Sequence, residues 1–366
     1  MVMELATRLV FIDTSAFEKK NFQFGQHSLG RLQELIEQEK IRLLMTDVTQ
    51  KEIEGHLQKH SADSASKLKK LTKDAMFLRN TPELDCYGIF NVPAADEIFE
   101  IVNRKFRSLV ALDFVELVSV AIVDPAIVFD AYFKAEPPFE KESKKHEFPD
   151  AFALEAIKKI SLERCHSVYI VSADGDMTSF ANKEETFIAL NSVDELIDLV
   201  VRNDEELAEP TNFADQVFDD IEDLILERAK RHLELGEFIH STTEFWDEEI
   251  DSIEINGVSI LAKNLQDVTT EHAEFEIEFE VEITAQYSVP DYDRSPWDPE
   301  DKEYVQIFYN ENVVKHKESY FAYVSIDYVD GIRANAEITE LDFIDTIFEL
   351  SDSDFEVLSY KERGFS

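Results

Sequence analysis

The sequence predicts an α/β unit built on buried parallel strands, followed by an acidic α+β unit with antiparallel strands. Three stretches carry this expectation. Leu9-Val10-Phe11-Ile12 is an apolar run that stops at Asp13-Thr14-Ser15, the pattern of a buried parallel strand emptying into a polar loop. Val168-Tyr169-Ile170-Val171 repeats the pattern and stops at Ser172-Ala173-Asp174-Gly175-Asp176. Phe275-Glu276-Ile277-Glu278-Phe279-Glu280-Val281-Glu282-Ile283 instead alternates strictly, as a half-buried antiparallel strand with one acidic face does.

Between the first two strands, Leu29 to Gln38 reads as an amphipathic helix with Leu32, Leu35 and Ile36 inward, and Ile41 to Met45 as a short strand closed by Thr46-Asp47. A long helix is expected from about Val48 to Leu78, with Leu68, Leu71, Ala75 and Leu78 as its buried stripe. Lys67, Lys70 and Lys73 lie on another face, which serves either as solvated surface or as a track for phosphate. Residues 80–140 read as a mostly helical insertion, with helices at Ala94 to Arg107, Leu109 to Val123 and Pro125 to Lys134. A helix from Asp150 to about Leu162 and one near Val193 to Val201 complete the first unit.

A chain of 366 residues is long enough for two domains, expected at 1–203 and 204–366 across the polar stretch Arg202 to Asn212, which contains Pro210. Phe213 to Glu237 reads as a helix with Val217, Ile221, Leu224 and Ile225 inward. Pro290 to Glu300 reads as a loop, and Tyr320 to Val329 with Ile332 to Leu341 as a hairpin around Asp330-Gly331. Charge divides unevenly: the net is −42, and residues 201–366 hold 44 Asp and Glu against 12 Lys and Arg. That field repels nucleic acid and anionic membranes from the second unit and also favours solubility, while the first unit retains basic patches able to attract phosphate. The longest apolar candidate, Leu109 to Val123, is broken by Asp113 and Glu116, so no membrane span is expected. Glu4 precedes the first strand and argues against a signal peptide. The two cysteines, Cys86 and Cys165, make no disulfide framework, so a reduced, cytoplasmic setting is expected.

Four acids have the setting of a metal site: Asp13 and Asp174 at strand ends, Asp150 in the first turn of a helix and Glu52 one turn into another, with Asp176 as a fifth. Hard carboxylate oxygens suit Mg²⁺ or Mn²⁺, and crowding them raises their pKa values unless a cation lies between them. Each also has a structural reading. Thr49-Gln50-Lys51-Glu52 has capping-box spacing, Asp150 suits a helix start, Asp13 suits a loop cap, and Asp174-Gly175-Asp176 suits a turn. A haloacid-dehalogenase phosphatase requires an acid where Ser15 stands, and no Gly-rich phosphate loop, zinc helix motif or serine elbow occurs.

Taken together, Val10-Phe11-Ile12-Asp13-Thr14-Ser15, Thr49-Gln50-Lys51-Glu52-Ile53, Phe148-Pro149-Asp150-Ala151 and Val171-Ser172-Ala173-Asp174-Gly175-Asp176 resemble the PIN domain family of metal-dependent nucleases over about residues 7–200. The closest likeness is to the PIN-like branch with a Lys-Lys-x-Glu-Phe-Pro-Asp-Ala stretch, here Lys144 to Ala151. The chain departs from the pattern at Met177, where an aromatic is frequent, and in the length between Glu52 and Asp150. The resemblance implies a Rossmann-like parallel sheet with helices on both faces and an acidic pocket at the strand ends. It implies Asp13, Glu52, Asp150 and Asp174 as ligands of Mg²⁺ or Mn²⁺, Asp176 as a secondary ligand, and Thr14 and Ser172 as their hydrogen-bonding support.

The implied activity is phosphodiester hydrolysis, with RNA preferred over DNA, in a setting such as toxicity, defence or RNA processing. Lys67, Lys70, Lys73, Lys144, Lys145 and His146 are the candidates for holding substrate phosphate. The alternative is a catalytically silent PIN-like binding or regulatory protein whose acidic second unit docks a basic partner. That unit is also a candidate for homo-oligomer assembly.

Overall fold

The structure, a computed structural model, describes residues 4–139, 147–240, 249–298, 302–329, 332–351 and 355–362. The chain forms two compact units, Met1–Asn203 and Asp204–Ser366. In the first, β1 (Leu9–Ile12) leads into α1 (Thr14–Lys19), α2 (His27–Glu37), β2 (Arg42–Thr46) and α3 (Asp47–Asp74). Then follow α4 (Ala95–Val110), β3 (Val115–Val118), α5 (Pro125–Lys134), α6 (Phe148–Arg164), β4 (Val168–Val171), α7 (Gly175–Lys183), β5 (Phe187–Leu190) and α8 (Val193–Arg202).

The five strands are all parallel in the order β3-β2-β1-β4-β5. Strands β1 and β4 are buried at every position, so both faces of the sheet centre are covered. On one face Phe11, Leu44, Val118, Val168 and Ile170 pack with Leu154 and Ile157 of α6 and with Met177 and Phe180 of α7. Met177, at the position where the resembled pattern often has an aromatic, is a core residue. The strand order reverses direction between β1 and β4, and in such sheets the crevice beyond the strand ends opens at that point. The pair Ile12 and Val171 is in register there, and the Asp13 amide donates to the Val171 carbonyl at 2.9 Å.

Several expectations are corrected here. Leu109 to Val123 is not a helix: α4 stops at Val110 and Val115–Val118 joins the sheet edge as β3, so the region expected as mostly helical also contributes a strand. Short apolar runs satisfy both periodicities, and only the open edge of β2 decides. The buried stripe of α3 is Thr49, Ile53, Leu57, Ser61 and Ala65, whereas Leu71 is exposed, because the helix runs past the sheet and its last turns leave the core. Nor does Thr49 begin that helix. Thr46 caps it, accepting from the Thr49 amide at 3.0 Å, so Glu52 has no capping role.

The helix expected from Phe213 starts earlier, inside the polar stretch Arg202 to Asn212. A short 3-10 turn at Glu205–Leu207 leads into α9 (Ala208–Glu234), whose first turn takes Pro210, where a missing N–H is tolerated. In α9 the buried positions include Val217, Phe218 and Ile225, but Leu224 is half exposed, one residue round the helix from the sheet-facing stripe.

The rest of the second unit is β6 (Glu237–His240), β7 (Glu249–Val268), β8 (His272–Asp291), β9 (Trp297–Asp298), β10 (Glu303–Tyr304), β11 (Phe308–Val329), β12 (Ile332–Phe343), β13 (Ile347–Leu350) and β14 (Phe355–Glu362). Antiparallel order β12-β11-β8-β7, with β14 also on β11, makes the main sheet. Helix α9 packs on the sheet's apolar face through Phe218 and Phe275, whose ring centroids are 4.9 Å apart. The region expected as a loop from Pro290 is partly strand: β8 continues to Asp291, and Trp297–Asp298 pairs with β10. The turn Asp330-Gly331 lies outside the described residues. No helix among the described residues is long and apolar enough to cross a membrane.

Candidate metal centre

Asp13 is the residue at which β1 ends and α1 starts. Its carboxylate caps α1 by accepting from the Ser15 amide at 3.2 Å, and it is 6% exposed. The Ser15 hydroxyl also donates to Asp13 Oδ2, and the Ser172 hydroxyl donates to the same oxygen at 3.0 Å. All three bonds fall on Oδ2, which fixes the direction of Oδ1. Ser172 follows β4, and its hydroxyl oxygen accepts from the Asp174 amide at 3.0 Å, so one serine orients Asp13 and starts the turn that carries Asp174. Asp174 then caps α7, accepting from the Asp176 amide at 2.7 Å.

Glu52 arrives from the second turn of α3, where the Thr14 hydroxyl donates to its Oε2 at 3.2 Å. Burial pushes the Glu52 carboxyl above its ordinary range; the Thr14 hydroxyl and His56 pull it down, and Asp13 pushes it up. Asp150 stands in the first turn of α6. Burial drives its pKa up to about 8, and the charges of Asp13, Glu52, Glu147 and Asp174 add to that rise. Four segments far apart in sequence therefore bring Asp13, Glu52, Asp150 and Asp174 within one another's field. No three of them, however, bring ligand atoms within 4.8 Å of one another, a spacing that mutual repulsion favours. Asp176 is half buried in the first turn of α7, where its amide donates to Asp174.

The donor set fits a hard divalent cation. It offers carboxylate oxygens alone, partly withdrawn from water, with a carboxyl at about 8 that a cation would return to its charged form. Another acid at a strand end makes the contrast plain. Asp47, after β2, spends its oxygens on the Val120 amide at 3.0 Å and the Ser119 hydroxyl at 2.9 Å, which ties α3 to the end of β3.

The remaining expected site residues lie elsewhere. Lys67, Lys70 and Lys73 are exposed, and since α3 rises about 1.5 Å per residue, Lys67 stands roughly 22 Å along the axis from Glu52. Lys144, Lys145 and His146 lie outside the described residues. Two participants escaped the sequence reading. Ser15 reveals itself only through its bonds to Asp13 and to the Ala173 amide at 3.2 Å, and Glu147 only through its charge on Asp150.

A search of curated proteins and a search of solved structures each returned no match. The family model described as the PIN domain matches residues 10–177, a span that contains all four of the converging acids. PIN domains are generally nucleases and typically use divalent metals. Over residues 10–177, this chain is therefore similar to the PIN domain family.

Proposed function

We propose that the first unit, residues 1–203, is a metal-dependent endonuclease, acting on RNA in preference to DNA, with Asp13, Glu52, Asp150 and Asp174 as the ligands of Mg²⁺ or Mn²⁺. The observation that carries the reading is the Asp150 carboxyl, raised to about 8 by burial and by acids from β1, α3 and β4. A buried carboxyl whose pKa is raised further by neighbouring acids is costly, and such groups concentrate at functional sites. When bound, the ion supplies Lewis acidity for in-line attack of water on a phosphodiester.

The protein's own groups do the rest. Ser15 and Ser172 hold Asp13 by Oδ2, Thr14 holds Glu52 by Oε2, and the turn after β4 sets Asp174. Asp176 is a secondary ligand. Nothing in this set recognises a 2′-hydroxyl, so the preference for RNA rests on the likeness to the PIN domain family alone. Lys67, Lys70 and Lys73, together with Lys144, Lys145 and His146, would hold substrate phosphates against a net charge of −42, so binding should be modest and sensitive to salt.

The test is incubation of the purified chain with labelled RNA and DNA panels, with and without Mn²⁺, beside Asp13→Asn. Mn²⁺-dependent cleavage that Asp13→Asn abolishes supports the reading. Metal-independent cleavage, or equal activity in the variant, overturns it.

A further inference from the structure

Outside the four carboxylates, a second group of side chains has the chemistry of a metal site. Among the described residues, Glu18, His56 and His60 are the three acid or histidine residues whose ligand atoms all lie within 4.8 Å of one another. His56 and His60 are four residues apart on α3 and so share one face, while Glu18 comes from α1. His56 Nδ1 is 3.2 Å and His60 Nε2 is 3.3 Å from the same oxygen, Oε1 of Glu18.

These two nitrogen–oxygen spacings match those around a tetrahedral ion. With metal to ligand bonds of about 2.0 to 2.1 Å, neighbouring ligand atoms lie about 3.3 to 3.4 Å apart. The imidazoles are also held. Phe22, itself 5% exposed, packs its ring against both, with centroids 6.1 and 5.9 Å away. The side chains of Glu18, His56 and His60 are 44, 40 and 49% exposed, so the site opens to solvent and leaves room for water as the remaining ligand.

We propose that Glu18, His56 and His60 bind one borderline transition-metal ion of the Zn²⁺ class, separately from the carboxylate centre. Two nitrogens and one oxygen select Zn²⁺, Co²⁺ or Ni²⁺ over Mg²⁺ and Mn²⁺, which the all-oxygen centre prefers. The site also has a mechanical consequence. Helix α1 is capped by Asp13, and Glu52 lies one turn before His56 on α3, so an ion shared by Glu18, His56 and His60 pins together the two helices that carry Asp13 and Glu52. It reinforces the link already made by the Thr14 and Glu52 bond. The competing account is an exposed ion pair between Glu18 and protonated histidines. The two accounts have opposite pH dependence, since a metal takes neutral imidazole and an ion pair needs the charged form.

The proposal does not depend on nuclease activity, and its test does not measure it. The tag-free full chain, held in excess Mg²⁺, is titrated with Zn²⁺ by calorimetry and with Co²⁺ by visible absorption. The expected result is one equivalent of Zn²⁺ that tightens as the pH rises through the histidine range, with Co²⁺ bands of low-coordinate intensity. That equivalent is lost in His56→Asn/His60→Asn and retained in Asp13→Asn/Asp150→Asn. Glu18→Gln carries the same test if the double histidine variant fails to fold by circular dichroism. Unchanged zinc stoichiometry in the folded His56 and His60 variant, or in Glu18→Gln, overturns the proposal. So does the absence of zinc uptake by the parent chain.

Discussion

Replacing Asp150 by Asn should make the metal-free protein more stable, and the gain should grow with pH. The unfolded chain titrates this carboxyl near 3.8, whereas the folded chain holds it up to about 8. Between those values the native state carries the extra proton, so stability declines as pH rises and reaches its floor above about 8. At 1.36 kcal/mol per unit, the shift corresponds to a ceiling of ~4 kcal/mol at pH 7. Asp13, Glu52, Glu147 and Asp174 share that field and go on repelling one another in the variant, so about 1 to 2 kcal/mol is expected to be recovered. For a unit of this size that is a rise of roughly 2 to 8 °C in melting temperature.

Thermal melts in EDTA from pH 5.5 to 8.5 measure it. The parent should lose stability across the range, and Asp150→Asn should show a flatter profile and the higher melting temperature at pH 8. Adding Mn²⁺ should reverse the order, since the parent gains about 2.7 kcal/mol once the metal reaches a hundred times its dissociation constant, and the variant binds it less well. An Asp150→Asn protein no more stable than the parent at pH 8 in EDTA would refute the reasoning that these acids share one crowded site.

Ser172→Ala removes one of the hydroxyls on Asp13 Oδ2 and the acceptor for the Asp174 amide; it should cost about 1 to 3 kcal/mol and lower kcat more than it raises KM, as steady-state kinetics would report. If the lysine face of α3 tracks a single strand, Lys67→Glu/Lys70→Glu/Lys73→Glu should reduce the salt dependence of binding by about 2 in log–log slope, and an unchanged slope in filter binding would show that face to be plain solvated surface. In the second unit, a Cβ on Gly236 would lie 2.4 Å from the buried Phe348 ring, so Gly236→Ala should destabilise that unit by about 1 to 3 kcal/mol on denaturant titration, leaving first-unit activity intact.

How far the sequence reaches depends on whether a feature is local. The ends of β1 and β4 were legible because an apolar run halted by acid and hydroxyl residues has one cheap solution, a buried strand opening into solvent at its carboxyl end. The alternation of Phe275 to Ile283 was legible for the same reason, since a period of two sends every side chain to a fixed face. Val115–Val118 was not, because its four residues satisfy a helix as readily as a strand until β2 offers an unpaired edge. The α3 stripe failed similarly: Leu68, Leu71, Ala75 and Leu78 have correct spacing, but the core ends near Ala65 and nothing in the local pattern says where.

The same division holds at the site. The sequence by itself determined which residues carry acid and at which strand and helix ends they stand, because those positions follow from backbone periodicity and capping. Only the tertiary structure decided that the charges of Asp13, Glu52 and Asp174 act on Asp150, that Ser15 and Ser172 orient Asp13, and that Glu18 reaches His56 and His60. Each of those meetings joins segments across the strand order or between helices. Proximity of that kind is set by which faces must be buried together, and no window of neighbouring residues contains that information.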